Sequence, residues 1–233
     1  MRKRILIATL SLITVLTCVF GFAACKEKPS KGLEYELNTE TNTYTILRNS
    51  CKDKKVVIPS TYNGLPVTAI DNEAFKNCSS IKSVVIPDSV TEIGWNAFYG
   101  CTSLTNVTLP NGLTEISDGL FGHCSLLKSI DIPDGVTKIN FYAFMSCSSL
   151  TSITIPAGVT EMDADSFIGC TSLKTVVFEN TEGWRRYDLS SCTFPSSERP
   201  HQDIPSEELA NPETAAEYLK YAGISYYWIR IEN

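Results

Sequence analysis

The chain has 233 residues, 43% of them apolar, and carries 20 Lys and Arg against 26 Asp and Glu, a net charge of −6. This acidic balance argues against nucleic acid as a partner, because phosphate contacts need Lys and Arg in excess. With two histidines and no glycine-rich phosphate loop, nucleophile elbow or helix-borne metal-ligand pair, the sequence gives no basis for an enzyme, a metal or a cofactor.

Met1, Arg2, Lys3 and Arg4 precede an apolar run from Ile5 to Phe20 and the small residues Ala23 and Ala24. This is the plan of a signal peptide over residues 1–24. Phe22, Ala23, Ala24 and Cys25 resemble a bacterial lipobox, in which Cys25 becomes the lipidated first residue. Lipid there would hold the protein at a membrane, each buried methylene adding about 0.8 kcal/mol. Loss of Arg2, Lys3 and Arg4 moves the net charge from −6 to −9. Residues 25–32 then read as a short polar tether.

Residues 33–54 read as a β-hairpin cap. Polar and apolar residues alternate over 34–37 and 43–47, on either side of a turn at Asn38–Asn42. Residues 55–192 carry a repeat of 23 residues. Phe75, Phe98, Phe121, Phe144 and Phe167 are each followed three residues later by Cys78, Cys101, Cys124, Cys147 and Cys170. Pro87, Pro110, Pro133 and Pro156 keep the same step, as do Ile81, Leu104, Leu127, Leu150 and Leu173. A fixed period of this length specifies a solenoid, in which each coil buries its apolar side against the next. Within a coil, Val84 and Ile86 alternate with outward residues at strand period, Pro87 ends the strand, and Val90 and Ile93 begin an apolar return side. The first coil carries an insertion at 60–64 with a turn at Asn63 and Gly64.

Nine cysteines in an exported chain raise the question of disulfides. Five share one coil position, and the spacing of adjacent strands, about 4.7–4.9 Å, does not exclude bridges. Their side chains point the same way, however, and an odd column cannot pair completely. The sequence therefore predicts a ladder of buried thiols packed as small hydrophobes. His123 occupies a turn position that varies between coils, and Asp163 and Asp165 read as solvated turn residues.

The pattern Leu-x-x-Val-x-Ile-Pro-x-x-Val-Thr-x-Ile-x-x-x-Ala-Phe-x-x-Cys, running from Lys55 to Phe178, resembles the bacterial surface leucine-rich repeat of the BspA, or Treponema pallidum, type. The resemblance implies a curved solenoid with a parallel sheet on one face, exposed on the cell surface. It also implies a role in binding, adhesion included. The outward rows of that face are Lys82, Thr105, Lys128, Thr151 and Lys174; then Ser83, Asn106, Ser129, Ser152 and Thr175; then Thr108, Asp131 and Thr154, between Val85 and Val177. These rows are the candidate binding face for an extracellular protein or polysaccharide. The rival expectation is a structural or assembly scaffold in the cell envelope.

After Phe178 the period fails. Residues 193–211 are rich in proline and polar residues and read as a linker. Residues 212–233 read as a helix-strand cap, in which Asn211 is the N-cap, Pro212 the first helical residue, and an aromatic strand begins at Tyr226.

Overall fold

The computed structural model describes residues 28–49, 52–163, 165–188, 201–220 and 226–231. The predicted leader, Cys25 and Cys192 lie outside them. Among the described residues no helix is long and apolar enough to cross a membrane. The chain opens with an antiparallel hairpin, β1 (Leu33–Asn38) and β2 (Thr43–Asn49), and then β3 (Lys55–Val57). The hairpin turn is held by Asn38 Oδ1, which accepts the N–H groups of Glu40 and Thr41 at 3.0 and 3.2 Å. The insertion of the first coil forms β4 (Thr61–Tyr62), which folds back antiparallel on β5 (Leu65–Ile70). Asn63 and Gly64 both have positive φ, the requirement of a tight two-residue hairpin turn. β2 runs parallel to β5, so the hairpin extends the sheet of the first coil.

The following coils supply β6 (Ser83–Val85), β7 (Glu92–Ile93), β8 (Asn106–Thr108), β9 (Glu115–Ile116), β10 (Lys138–Ile139), β11 (Ser152–Ile155), β12 (Glu161–Met162) and β13 (Thr175–Phe178). Each coil has three sides. The strand side pairs β3, β6 and β8 in parallel, and β11 with β13. The return side pairs β5 with β7, and β9, β10 and β12 in turn. The third side is a turn segment without strands, yet it carries its own ladder. Phe75, Phe98, Phe121 and Phe144 donate N–H bonds of 2.8–3.0 Å to the carbonyls of Ala97, Leu120, Ala143 and Ser166 in the next coil.

Local geometry explains the recurrent residues. Each proline carbonyl accepts the N–H three residues on, as in Pro87 to Val90 at 3.0 Å, closing the turn off the strand side. The turn segment crosses the left-handed region twice per coil. One column is Glu73, Asn96, Gly119, Tyr142 and Asp165; the other is Asn77, Gly100, His123, Ser146 and Gly169. Asn and Gly suit that region, and they interlock: a Cβ on Gly100 would stand 2.2 Å from Asn77 Oδ1. His123 is thus a left-handed turn residue, its ring edge-on to Tyr99 with centroids 5.0 Å apart. Inside, the five phenylalanines form one stack with centroids 5.0–5.8 Å apart, and all are buried.

The cysteine column departs from the predicted five-thiol ladder. Cys101, Cys124, Cys147 and Cys170 are free and buried, but Cys78 is disulfide-bonded. The four thiols each donate to the carbonyl of the phenylalanine one coil back, at 3.1–3.2 Å. Cys78 heads the column and has no preceding phenylalanine to serve as acceptor. Part of the predicted tether is docked, since Ser30 N–H reaches Val57 O at 3.0 Å and Ser30 Oγ accepts the Val57 N–H at 2.9 Å.

Beyond the repeats lie β14 (Trp184–Asp188), β15 (His201–Asp203), α1 (Ser206–Leu209), α2 (Pro212–Lys220) and β16 (Tyr226–Arg230). The stretch read as a linker therefore holds a strand and a short helix. Asn211 Oδ1 accepts the N–H groups of Glu213 and Thr214, capping α2. β16 lies antiparallel between β12 and β14 and covers the exposed edge of the return ladder. Trp184, Trp228 and Phe178 pack together with centroids 5.4–6.4 Å apart. Trp184 and Trp228 are buried, so both belong to the core.

Candidate functional site

The strand side gathers the predicted face in registered rows. Ser83 stands beside Asn106 and Val85 beside Thr108, and Ser152 stands beside Thr175 and Thr154 beside Val177. Lys82, Lys128 and Lys174 are exposed on alternate coils, and among the described residues none of them makes an ion pair. The intervening threonines are partly committed. Thr105 Oγ1 donates to Lys82 O at 3.0 Å, and Thr151 Oγ1 donates to Lys128 O at 3.3 Å. Their hydroxyls hold coils together and offer a ligand only their remaining acceptor capacity.

The face is not continuous. Ser129, Ile130 and Asp131 form no strand, and no backbone hydrogen bond joins them to β8 among the described residues. A depression of about 520 Å³ opens there, bordered by Val107, Thr108, Asn111, Asp131 and Asp134. Ser129 and Asp131 are both exposed at this break.

The return side holds a second polar column that sequence reasoning passed over. Ser117, Asn140, Asp163 and the nearby Ser166 are buried. Asp163, expected to be solvated, is only 6% exposed. Burial pushes its carboxyl above the usual carboxylate range, and Lys138, with Nζ 3.6 Å from Oδ2, pulls it part of the way back. Asn140 Nδ2 donates to Glu115 Oε2 at 3.2 Å. Three exposed aromatics, Trp95, Phe141 and Tyr142, mark the corner between return and turn sides. For Trp95 and Phe141 the signal in the sequence was an aromatic at the coil position of Asn72 and Asp118, and for Tyr142 an aromatic at the next position, where other coils carry Glu73, Asn96, Gly119 and Asp165.

Among the described residues the four free thiols are poorly placed to act as nucleophiles. Burial raises Cys101 and Cys170 to about 12, and it raises Cys124 and Cys147 well above the ordinary thiol value. Among the described residues no group of three His, Cys, Asp or Glu is placed to hold a metal ion.

With this geometry in view, the family model described as the BspA type leucine rich repeat region matches residues 68–195 in six copies. Three solved bacterial structures are similar. A leucine-rich-repeat protein of T. pallidum shares 38% identity at a TM-score of 0.62, over 65% of this chain and 71% of that one. A leucine-rich cell surface protein of Faecalibacterium prausnitzii shares 35% identity at 0.60, over 65% of this chain and 39% of that one. A leucine-rich-repeat protein of Bacteroides ovatus shares 30% identity at 0.57, over 64% and 40%. The match thus spans about two fifths of the latter two chains. No curated protein matches.

Proposed function

The chain belongs to the BspA-type leucine-rich-repeat family, and from that premise we propose that it is a non-enzymatic binding protein of the cell surface, engaged in adhesion. Its strand side docks an extracellular protein or polysaccharide, and lipid on Cys25 holds it at the membrane. The observation that carries this reading is the polar strand side, its rows in register over β6 and β8 and over β11 and β13, with Lys82, Lys128 and Lys174 exposed at a step of two coils. The F. prausnitzii relative, described as a cell surface protein, supports the location. Exposed lysine ammonium groups spaced along the face favour broad, shallow contacts over a deep pocket, and no Trp, Tyr or Arg anchor stands in the rows.

The test immobilises the full-length chain and offers it host matrix proteins, cell-wall polysaccharides and envelope extract. A saturable partner whose capture falls at least tenfold in the Lys82→Glu/Lys128→Glu/Lys174→Glu variant is the expected result. Equal capture by both proteins moves the site off this face. A co-purifying envelope protein with no soluble ligand replaces adhesion with a scaffolding role.

A further inference from the structure

At three coil junctions the return side closes in the same way. Thr91 N–H reaches Thr68 O, Thr137 N–H reaches Thr114 O, and Thr160 N–H reaches Thr137 O, each at 2.9 Å. Gly94, Asn140 and Asp163 likewise reach Ile70, Ile116 and Ile139 at 2.8–2.9 Å. Between the second and third coils neither bond forms. β7 pairs with β5 alone, and Thr114 and Ser117 N–H find no backbone acceptor in Thr91–Ile93 among the described residues. Ser117 Oγ bridges to Ile93 O instead.

This opening is a cleft of about 370 Å³, lined by Asn72, Glu92, Trp95, Glu115, Asp118 and Asn140. Trp95 is 46% exposed, whereas Trp184 and Trp228, the other two tryptophans, are 1% and 4% exposed. A large ring left half in water beside polar groups can offer one ligand both an apolar face and hydrogen-bonding partners. The backbone that carries the ring is pinned. Trp95 N–H donates to Asn72 Oδ1 at 3.0 Å, and Gly94 permits that approach, since a Cβ there would stand 2.4 Å from the same oxygen. Two coils on, the device repeats. Phe141, 41% exposed, donates its N–H to Asp118 Oδ1 at 3.1 Å. The column Asn72, Trp95, Asp118, Phe141 thus alternates acceptor and ring, the two ring-bearing backbone positions standing two coil steps apart, roughly 10 Å at ordinary inter-strand spacing.

We propose that this corner binds an extended neutral glycan. Trp95 and Phe141 stack on the C–H faces of alternate sugars, since two coil steps approximate the length of a disaccharide unit. Glu92, Glu115 and Asp118 accept hydrogen bonds from the sugar hydroxyls, and the Asn72 and Asn140 amides supply mixed donor and acceptor capacity. The three carboxylates would repel uronic or sulfated chains, which selects a neutral ligand. The site lies apart from the strand-side lysines and stands or falls independently of them.

The full-length chain, purified in a non-glycosidic detergent, is titrated with cello-, laminari-, manno- and xylohexaose, read by calorimetry and by acrylamide quenching of tryptophan fluorescence. At least one hexasaccharide should bind saturably and shield Trp95 from acrylamide. Binding should fall at least tenfold in Trp95→Ala and several-fold in Asp118→Asn, which retains the acceptor for Phe141. It should be unchanged in the triple lysine variant. Saturable binding by none of the four, or binding that survives Trp95→Ala in a folded protein, overturns the proposal. So does preferential, salt-sensitive capture of an arginine-rich peptide, which would make the cleft a basic-peptide site.

Discussion

Tyr142 sits at φ 57 with its ring 45% exposed, a backbone position that costs a residue bearing a Cβ about 1–2 kcal/mol. The same column holds Asn96, which shows what the site prefers. Tyr142→Asn should therefore stabilise the protein by about 0.5–1 kcal/mol, seen as a higher urea midpoint with an unchanged m-value. Asp163 argues in the opposite sense to a salt-bridged carboxylate. Its folded pKa is raised, chiefly by burial, so the native state holds the proton more tightly and stability falls as pH rises from the ordinary Asp value through the folded one. Asp163→Asn should accordingly raise Tm at pH 7 and lose that advantage below the ordinary Asp range. A lower Tm at pH 7 would mean that the Lys138 pair outweighs desolvation. Neither residue announced itself in the sequence. Left-handed geometry shows only where Asn or Gly occupies the column, and Asp163 shares its coil position with Gly94, Ser117 and Asn140, which carry no common apolar sign of burial.

The ladders distinguish coils that the sequence makes look alike. Thr68, Thr91, Thr114, Thr137 and Thr160 are the same residue at the same step, yet the bond between the second and third coils is missing. Periodicity specifies which residues face each other; it does not specify how closely two particular coils approach. The amides of Thr114 and Ser117 should therefore exchange with deuterium faster than those of Thr137 and Asn140 in native-state measurements. Equal protection would mean that the junction closes in solution. The C-terminal elements tell a similar story. Asn211 and Pro212 signalled α2, but β15 and α1 sit in a stretch whose prolines read as a linker, because tertiary pairing with β14 overrides local composition. The Cys78 disulfide was equally hidden, since connectivity cannot be derived from cysteine spacing.

Across the whole molecule, stability is a sum over neighbours, because each coil contacts chiefly the ones beside it. The phenylalanine stack is the most uniform contribution and was fully legible, since only a strict 23-residue step places Phe75 to Phe167 in one column. Phe121→Ala should cost about 3–5 kcal/mol and decouple the two ends of the array. In a Trp95→Phe background, the remaining tryptophan signal reports the C-terminal half while far-ultraviolet circular dichroism reports the whole. The two urea transitions should separate in Phe121→Ala and coincide without it; coincidence in both would make the array one cooperative unit.

The third coil lacks its return ladder towards the second and its strand ladder towards the fourth, while the turn-side bonds run through both junctions. A load pulling the two ends apart would reach it with one side already undone on each face. Strain would concentrate there. Under such a load the third coil would part from its neighbours first, with the turn-side bonds the last of its ladders to yield.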